Sequence, residues 1–158
     1  MLWFLGICDN DNVNNLVRST GKNVPGWTID VNHGPGIKHS DDAVNCTGWW
    51  GFKWPNTPGN DGLIRTTLNG NGIASLEFGS CVIGALDGIG VVKVFLNDVE
   101  LASASGIETK KINFTFQHGS TLMIKEIGPS ILQFNRFEVK DCEDSQNEDE
   151  NGKFIMIF

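Results

Sequence analysis

Tyrosine is missing from this chain altogether, and all five tryptophans fall within the first 54 residues. Trp and Phe are therefore the only large aromatic faces, and the Trp faces are confined to one third of the sequence. No apolar run reaches the roughly 20 residues a membrane-spanning helix needs. Bases are scarce, with Lys and Arg totalling 12 against 19 Asp and Glu. No basic stripe exists, which argues against nucleic acid as a partner. No Cys-x-x-Cys pair and no Cys/His cluster at zinc spacing occurs. No nucleophile elbow surrounds any serine. No internal repeat is present, which argues against a propeller. Met1 to Ile7 is apolar but too short, and without a charged flank, to be a complete signal peptide.

What is there is a β pattern. Residues 63 to 139 alternate apolar and polar side chains between turns rich in Gly, Asn and Asp. Leu63 to Asn69 and Ile73 to Gly79 flank Gly70, Asn71 and Gly72, which reads as a hairpin. Val91 to Leu96 and Val99 to Ser103 flank Asn97 and Asp98, two residues that tolerate positive φ. Lys111 to Phe116, Thr121 to Glu126 and Ile131 to Val139 complete the series. Further strands are expected at Asn15 to Ser19 and Gly26 to Val31. Residues 32 to 62 read as a long loop region, and such loops are often functional. About nine short strands without an amphipathic helix of ~10 residues predict an all-β fold, a two-sheet antiparallel jelly-roll sandwich. One domain, residues 1–142, fits a chain of 158 residues. Residues 143–158 carry a run of acids and are expected to be a disordered acidic tail with an apolar end, Phe154 to Phe158. Residues 1–140 hold 13 acids and 11 bases, so most of the excess negative charge lies in residues 141–158.

Asn15, Leu16 and Val17, followed by Pro25, Gly26, Trp27 and Thr28, resemble the opening strands of galactose-binding-like jelly rolls, a superfamily that includes carbohydrate-binding modules. Gly62 to Leu68 and Ala74 to Gly79 look like the strand pair that follows in them, and Ile131 to Val139 like their closing strand. The resemblance spans roughly residues 14 to 140 and implies the sandwich fold and a binding role. Such modules commonly hold a structural calcium through an acid after the first strand and an Asp in the closing strand. Here those places carry Arg18 to Lys22, and Asn135 and Glu138. The calcium site is thus left without its usual ligands, and no cofactor is expected.

Cys46 to Pro55 packs Trp49, Trp50 and Trp54 between Gly and Pro. Flat indole rings stack on sugar faces, and Asn56, Asn60 and Asp61 offer nearby hydrogen-bonding groups. These six residues form the expected ligand site, whereas Trp27 is expected in the core. The outward set Val91, Lys93, Phe95 and Met123 is a second candidate surface, read as packing. His33 and His39 share a loop with Asp41 and Asp42, which reads as exposed polar loop. Asp9 to Asn15 lacks the Gly and Glu of an EF-hand and reads as solvated loop.

Four cysteines and two sequons, at Asn45 and Asn113, point to secretion with disulfides and N-glycans. Cys81 would end a strand beside residue 61, and the closing strands of jelly rolls commonly lie near an early strand. This gives Cys81–Cys142, with Cys8–Cys46 by default. The function expected is a secreted, non-catalytic module that binds a glycan or an extracellular matrix component. The alternative is an extracellular structural protein that self-associates or meets cations through its acidic tail.

Overall fold

The computed structural model describes residues 8–18, 24–31, 35–36, 43–44, 49–52, 62–83, 90–127, 131–143, 147–148 and 154–155. In chain order a 3-10 turn η1 (Asp11–Asn14) and a helical turn α1 (Asn15–Arg18) precede the strands. These are β1 (Thr28–Val31), β2 (Pro35–Gly36), β3 (Ala43–Val44), β4 (Trp49–Phe52), β5 (Gly62–Thr67), β6 (Asn71–Ile83) and β7 (Val91–Leu96). Next come β8 (Val99–Ser105), β9 (Glu108–Phe116), β10 (Thr121–Ile127), β11 (Ile131–Glu143), β12 (Asn147–Glu148) and β13 (Phe154–Ile155). One sheet has the order β1-β5-β10-β7-β8. The other runs β2-β4-β11-β6, with β3 and β9 both paired to β6. All these pairings are antiparallel, and the two sheets form the all-β, jelly-roll sandwich. β12 and β13 pair with each other.

Alternation builds the core, because successive strand residues face opposite sides. Ala74, Leu76 and Phe78 of β6, Val92 and Val94 of β7, Phe114 and Phe116 of β9, Leu122 and Ile124 of β10, and Leu132 and Phe134 of β11 are all buried in one cluster. Their strand neighbours Asn113 and Thr115 are exposed. The Asn97–Asp98 turn has φ of 48° and 66°, as the hairpin reading requires.

The hairpin expected around Gly70 is corrected. β5 pairs with β1 and β10, whereas β6 pairs with β11, β9 and β3. The Gly-Asn-Gly segment therefore carries the chain from one sheet to the other. Gly70 (φ 81°) donates its backbone N–H to His118 Nδ1 at 2.9 Å, and Leu68 N donates to Ser120 O, away from β6. Alternation shows which face a strand buries, but not which strand it pairs with.

The strand expected at Asn15 to Ser19 is also corrected, to helical turns. Val13 and Leu16 are both buried, and a separation of three residues puts them on one helical face. The asparagines that read as solvated loop are stitches. Asn14 Nδ2 donates to Phe137 O (2.9 Å) while its Oδ1 accepts from Phe137 N (3.0 Å). Asn10 makes the same two bonds to the backbone of Asn69, at 3.0 and 2.8 Å. Asn12 Nδ2 donates to Thr66 Oγ1 at 2.9 Å, and that hydroxyl donates to Gly26 O at 2.6 Å. The turns thereby close the side of the sandwich between β5 and β11.

Both disulfide pairings are corrected. Cys8 bonds to Cys142, with Cα atoms 6.0 Å apart. Cys81 is a half-cystine whose partner lies outside the described residues. Cys142 is in register with Gly72, and Cys81 with Ile131. These positions lie at opposite ends of β6, roughly 30 Å apart at the rise of an extended strand. A disulfide spans Cα atoms no more than about 7 Å apart. The error lay in Cys142: Cys81 does lie at the end that holds Gly62, but β11 runs antiparallel to β6 and carries Cys142 to the opposite end.

Candidate functional site

The two ends of the sandwich are built differently. Register places Thr67, Leu96, Phe116, Thr121 and Glu143 at one end, and Val31, Gly62, Cys81, Val91, Ile127 and Ile131 at the other. At the first end the connections are short: residues 68–70, 97–98 and 117–120. They are laced together by Gly119 N–Leu68 O (2.9 Å), Asn97 N–Thr121 O (3.0 Å) and Thr121 N–Asn97 Oδ1 (2.9 Å). The Cys8–Cys142 bond lies there, directly against Gly70. The opposite end receives the chain between β1 and β5, residues 32–61, and the segments 84–90 and 128–130. Every residue of the expected ligand site belongs to that long segment.

Of those six residues, the structure places Trp49 and Trp50 on β4; Trp54, Asn56, Asn60 and Asp61 lie outside the described residues. So do Cys46, Asn45, His33, His39, Asp41 and Asp42. The reading of residues 32–62 as loop is corrected in part, since β2, β3 and β4 form short pairings within it. Aromatic residues favour extended backbone, and β4 pairs with the start of β11. Trp50 is in register with Leu132 and Trp49 with Gln133. Pro35 and Gly36 pair on the other side of β4, with Phe52 and Gly51. This anchors the start of the Trp run to the sandwich at its long-loop end. Trp27 is buried, as expected. Its Nε1–H is shared between Asn12 O (3.1 Å) and Val13 O (3.2 Å), and its ring meets Phe134 edge-on at 6.2 Å.

Beneath this end lies a buried polar group that the sequence reading missed. Glu126 is only 2% exposed, and its Oε1 accepts the Leu132 N–H at 2.6 Å. That bond ties the end of β10 in one sheet to the start of β11 in the other. Ser80, in register with Leu132, is buried, and so is Gln133. The Gln133 Oε1 atom lies 3.2 Å from Cys81 Sγ. A signal was available, because Leu122, Ile124 and Glu126 share the inward face of β10, and an acid there breaks the pattern. At the same end Glu108 accepts the Ser105 N–H at 2.9 Å and faces Lys110 at 3.5 Å. The Ser105 bond, helped by Lys110, holds the Glu108 carboxyl below its usual range. Among the described residues no group of three His, Cys, Asp or Glu side chains is placed to hold a metal ion.

The second candidate surface is the outer face of the five-stranded sheet. Arg65, Met123 and Phe95 are in register across β5, β10 and β7, and Phe95 with Glu100 of β8. Lys93 pairs with Glu100 at 2.9 Å. Phe95 and Met123 are half-buried.

Comparison with protein-family models and with curated proteins finds no match. Solved structures of similar layout exist. The chain is similar to CBM35 from Paenibacillus barcinonensis at 16% identity and a TM-score of 0.42, over 74% of this chain and 94% of that one. It is similar to the enzymatically active domain of bacteriophage CBA120 tailspike protein 4 at 9% identity and 0.40, over 75% of this chain and 20% of that one. It is also similar to the catalytic domain of a GH87 alpha-1,3-glucanase at 9% identity and 0.37, over 82% and 30%. These likenesses concern fold only, and the strand order and register above define the fold.

Proposed function

We propose that this chain is a non-catalytic carbohydrate-binding module that works outside the cell. Its glycan would lie at the long-loop end, on the rings of Trp49, Trp50 and Trp54. Asn56, Asn60 and Asp61 would bond its hydroxyls. The observation that carries this reading is the asymmetry of the ends. One end is closed by short, cross-bonded turns and a disulfide, and at the other β4, with Trp49 and Trp50, joins the start of β11, where the buried Glu126 accepts the Leu132 N–H. A rigid sandwich that presents one variable end is a common arrangement for recognition. The Cys8–Cys142 bond supports an oxidising compartment.

The test is a glycan array followed by titration with the free sugar. Competable binding is expected, and signal that no free sugar displaces refutes the reading. Trp50→Ala and Trp54→Ala should each weaken binding about tenfold, near 1.4 kcal/mol, for a lost stacking face. Their melting temperatures should stay close to the parent's. Variants that unfold but, when folded, bind as the parent does would assign the rings to structure.

A further inference from the structure

Of the two sequons, Asn113 lies on a described strand, β9. β9 is a nine-residue strand paired on one side only, with β6, among the described residues. Its inward residues Phe114 and Phe116 are buried, whereas Asn113 and Thr115 are exposed together on the outer face. The whole acceptor sequence is thus displayed: amide and hydroxyl point outward, and the intervening Phe114 anchors the strand. Register sets Asn113 beside Ser75 and Thr115 beside Ile73. Ile73 is 41% exposed, one of the few large apolar side chains left in water. It is the diagonal neighbour of Asn113, within reach of a group attached there.

A long strand with a free edge is a template for pairing with another chain, and proteins blunt such edges with charge or cover. Lys110 and Lys111 supply charge on β9, with Lys110 also paired to Glu108. No described strand pairs with the other edge of β9 from Ile112 to Phe116, and the exposed Ile73 adds an incentive to associate.

We propose that Asn113 is N-glycosylated and that its glycan shields Ile73 and the free edge of β9, preventing strand addition by a second copy. The donor class is an oligosaccharide linked to a lipid diphosphate. The Asn113 Nδ2–C1 bond forms, and the bond from C1 to the diphosphate breaks. The diphosphate leaves with the electron pair, and one amide proton is released. Asn113 lies five residues along β9 from Glu108, roughly 17 Å from the long-loop end at the rise of a strand, so this inference stands whether or not that end binds sugar.

The experiment is secretion of the full chain from a eukaryotic host, with peptide mass mapping before and after enzymatic deglycosylation. A glycan is expected on Asn113 in the parent and in Thr115→Ser, and on neither Thr115→Ala nor Asn113→Gln. Sedimentation should show a monomeric parent, and concentration-dependent association for both sequon-null variants. Deglycosylation of the already folded parent should give the same shift, which keeps the test valid if a variant folds poorly. An unmodified Asn113 in secreted protein overturns the site. A modified Asn113 whose removal leaves the protein monomeric overturns the shielding role.

Discussion

Replacing Trp27 tests the packing scheme most directly. The ring is buried, meets Phe134 edge-on, and its N–H serves two carbonyls of the N-terminal turns. Trp27→Ala removes the transfer energy of a large aromatic and leaves a cavity, together about 3–5 kcal/mol. Trp27→Phe keeps a ring against Phe134 and loses the donor. That should cost about 1–2 kcal/mol, the scale of one lost hydrogen bond with its acceptors left dry. A domain of this size has a total stability of about 5–15 kcal/mol, so the Ala variant should lose a large part of it. The assay is urea unfolding followed by circular dichroism, with an unchanged slope showing that the same surface is exposed. A cost below about 1 kcal/mol for the Ala variant would refute burial of the ring as described. Equal costs for both variants would place the energy in the N–H bonds rather than in packing.

Non-reducing peptide mapping should recover Cys8 linked to Cys142, and a Cys8–Cys46 peptide would overturn that assignment. Replacing Cys8 and Cys142 by Ala should cost up to about 5 kcal/mol in the chain-entropy model for a separation of 134 residues, less if the bond at Cys81 shortens the loop. Gly70→Ala should destabilise by more than about 1 kcal/mol. Its φ is 81°, and the added Cβ would meet Cys8 Sγ and the Glu143 carbonyl, so a stability equal to the parent's would contradict this turn. The Glu108 carboxyl is held low by the Ser105 N–H and Lys110, so its stabilising contribution is present above the unfolded-state pKa. It should fade as pH falls through the lower folded value, and Glu108→Gln should flatten that part of the acid unfolding curve. A variant curve parallel to the parent's would rule this out.

The sheet faces were legible because strand alternation is local. Ala74, Leu76 and Phe78 announce their common face within five residues, and so do Val92 and Val94. The Asn97–Asp98 turn was legible because two residues must supply two positive φ values. Pairing was not legible where the jelly roll changes sheets. Gly70 to Gly72 has the composition of a hairpin turn, and only distant partners, His118 and Ser120, reveal that it is a crossover. The wrong disulfides followed from the closing strand, whose direction past β6 carries Cys142 away from Cys81. The N-terminal turns were missed for a related reason. Asparagine reads as solvent-facing, yet Asn10, Asn12 and Asn14 find partners 54 to 123 residues away, which no window on the sequence contains. At the candidate site the Trp run was legible from composition, and its first two rings, Trp49 and Trp50, lie on β4 at the long-loop end. Glu126 was overlooked because an acid was not weighed against the inward face it interrupts.

The amides of Asn10 and Asn14 each reproduce, from one side chain, the donor–acceptor pair of a strand residue. Hydrolysis of either to a carboxylate would keep its outline almost unchanged. It would turn the donor into a second acceptor, set against the carbonyl of Asn69 or Phe137. For this molecule, then, chemical ageing is a distinct threat from heat. One deamidation would leave the sheets intact and release the N-terminal seam that closes the side between them.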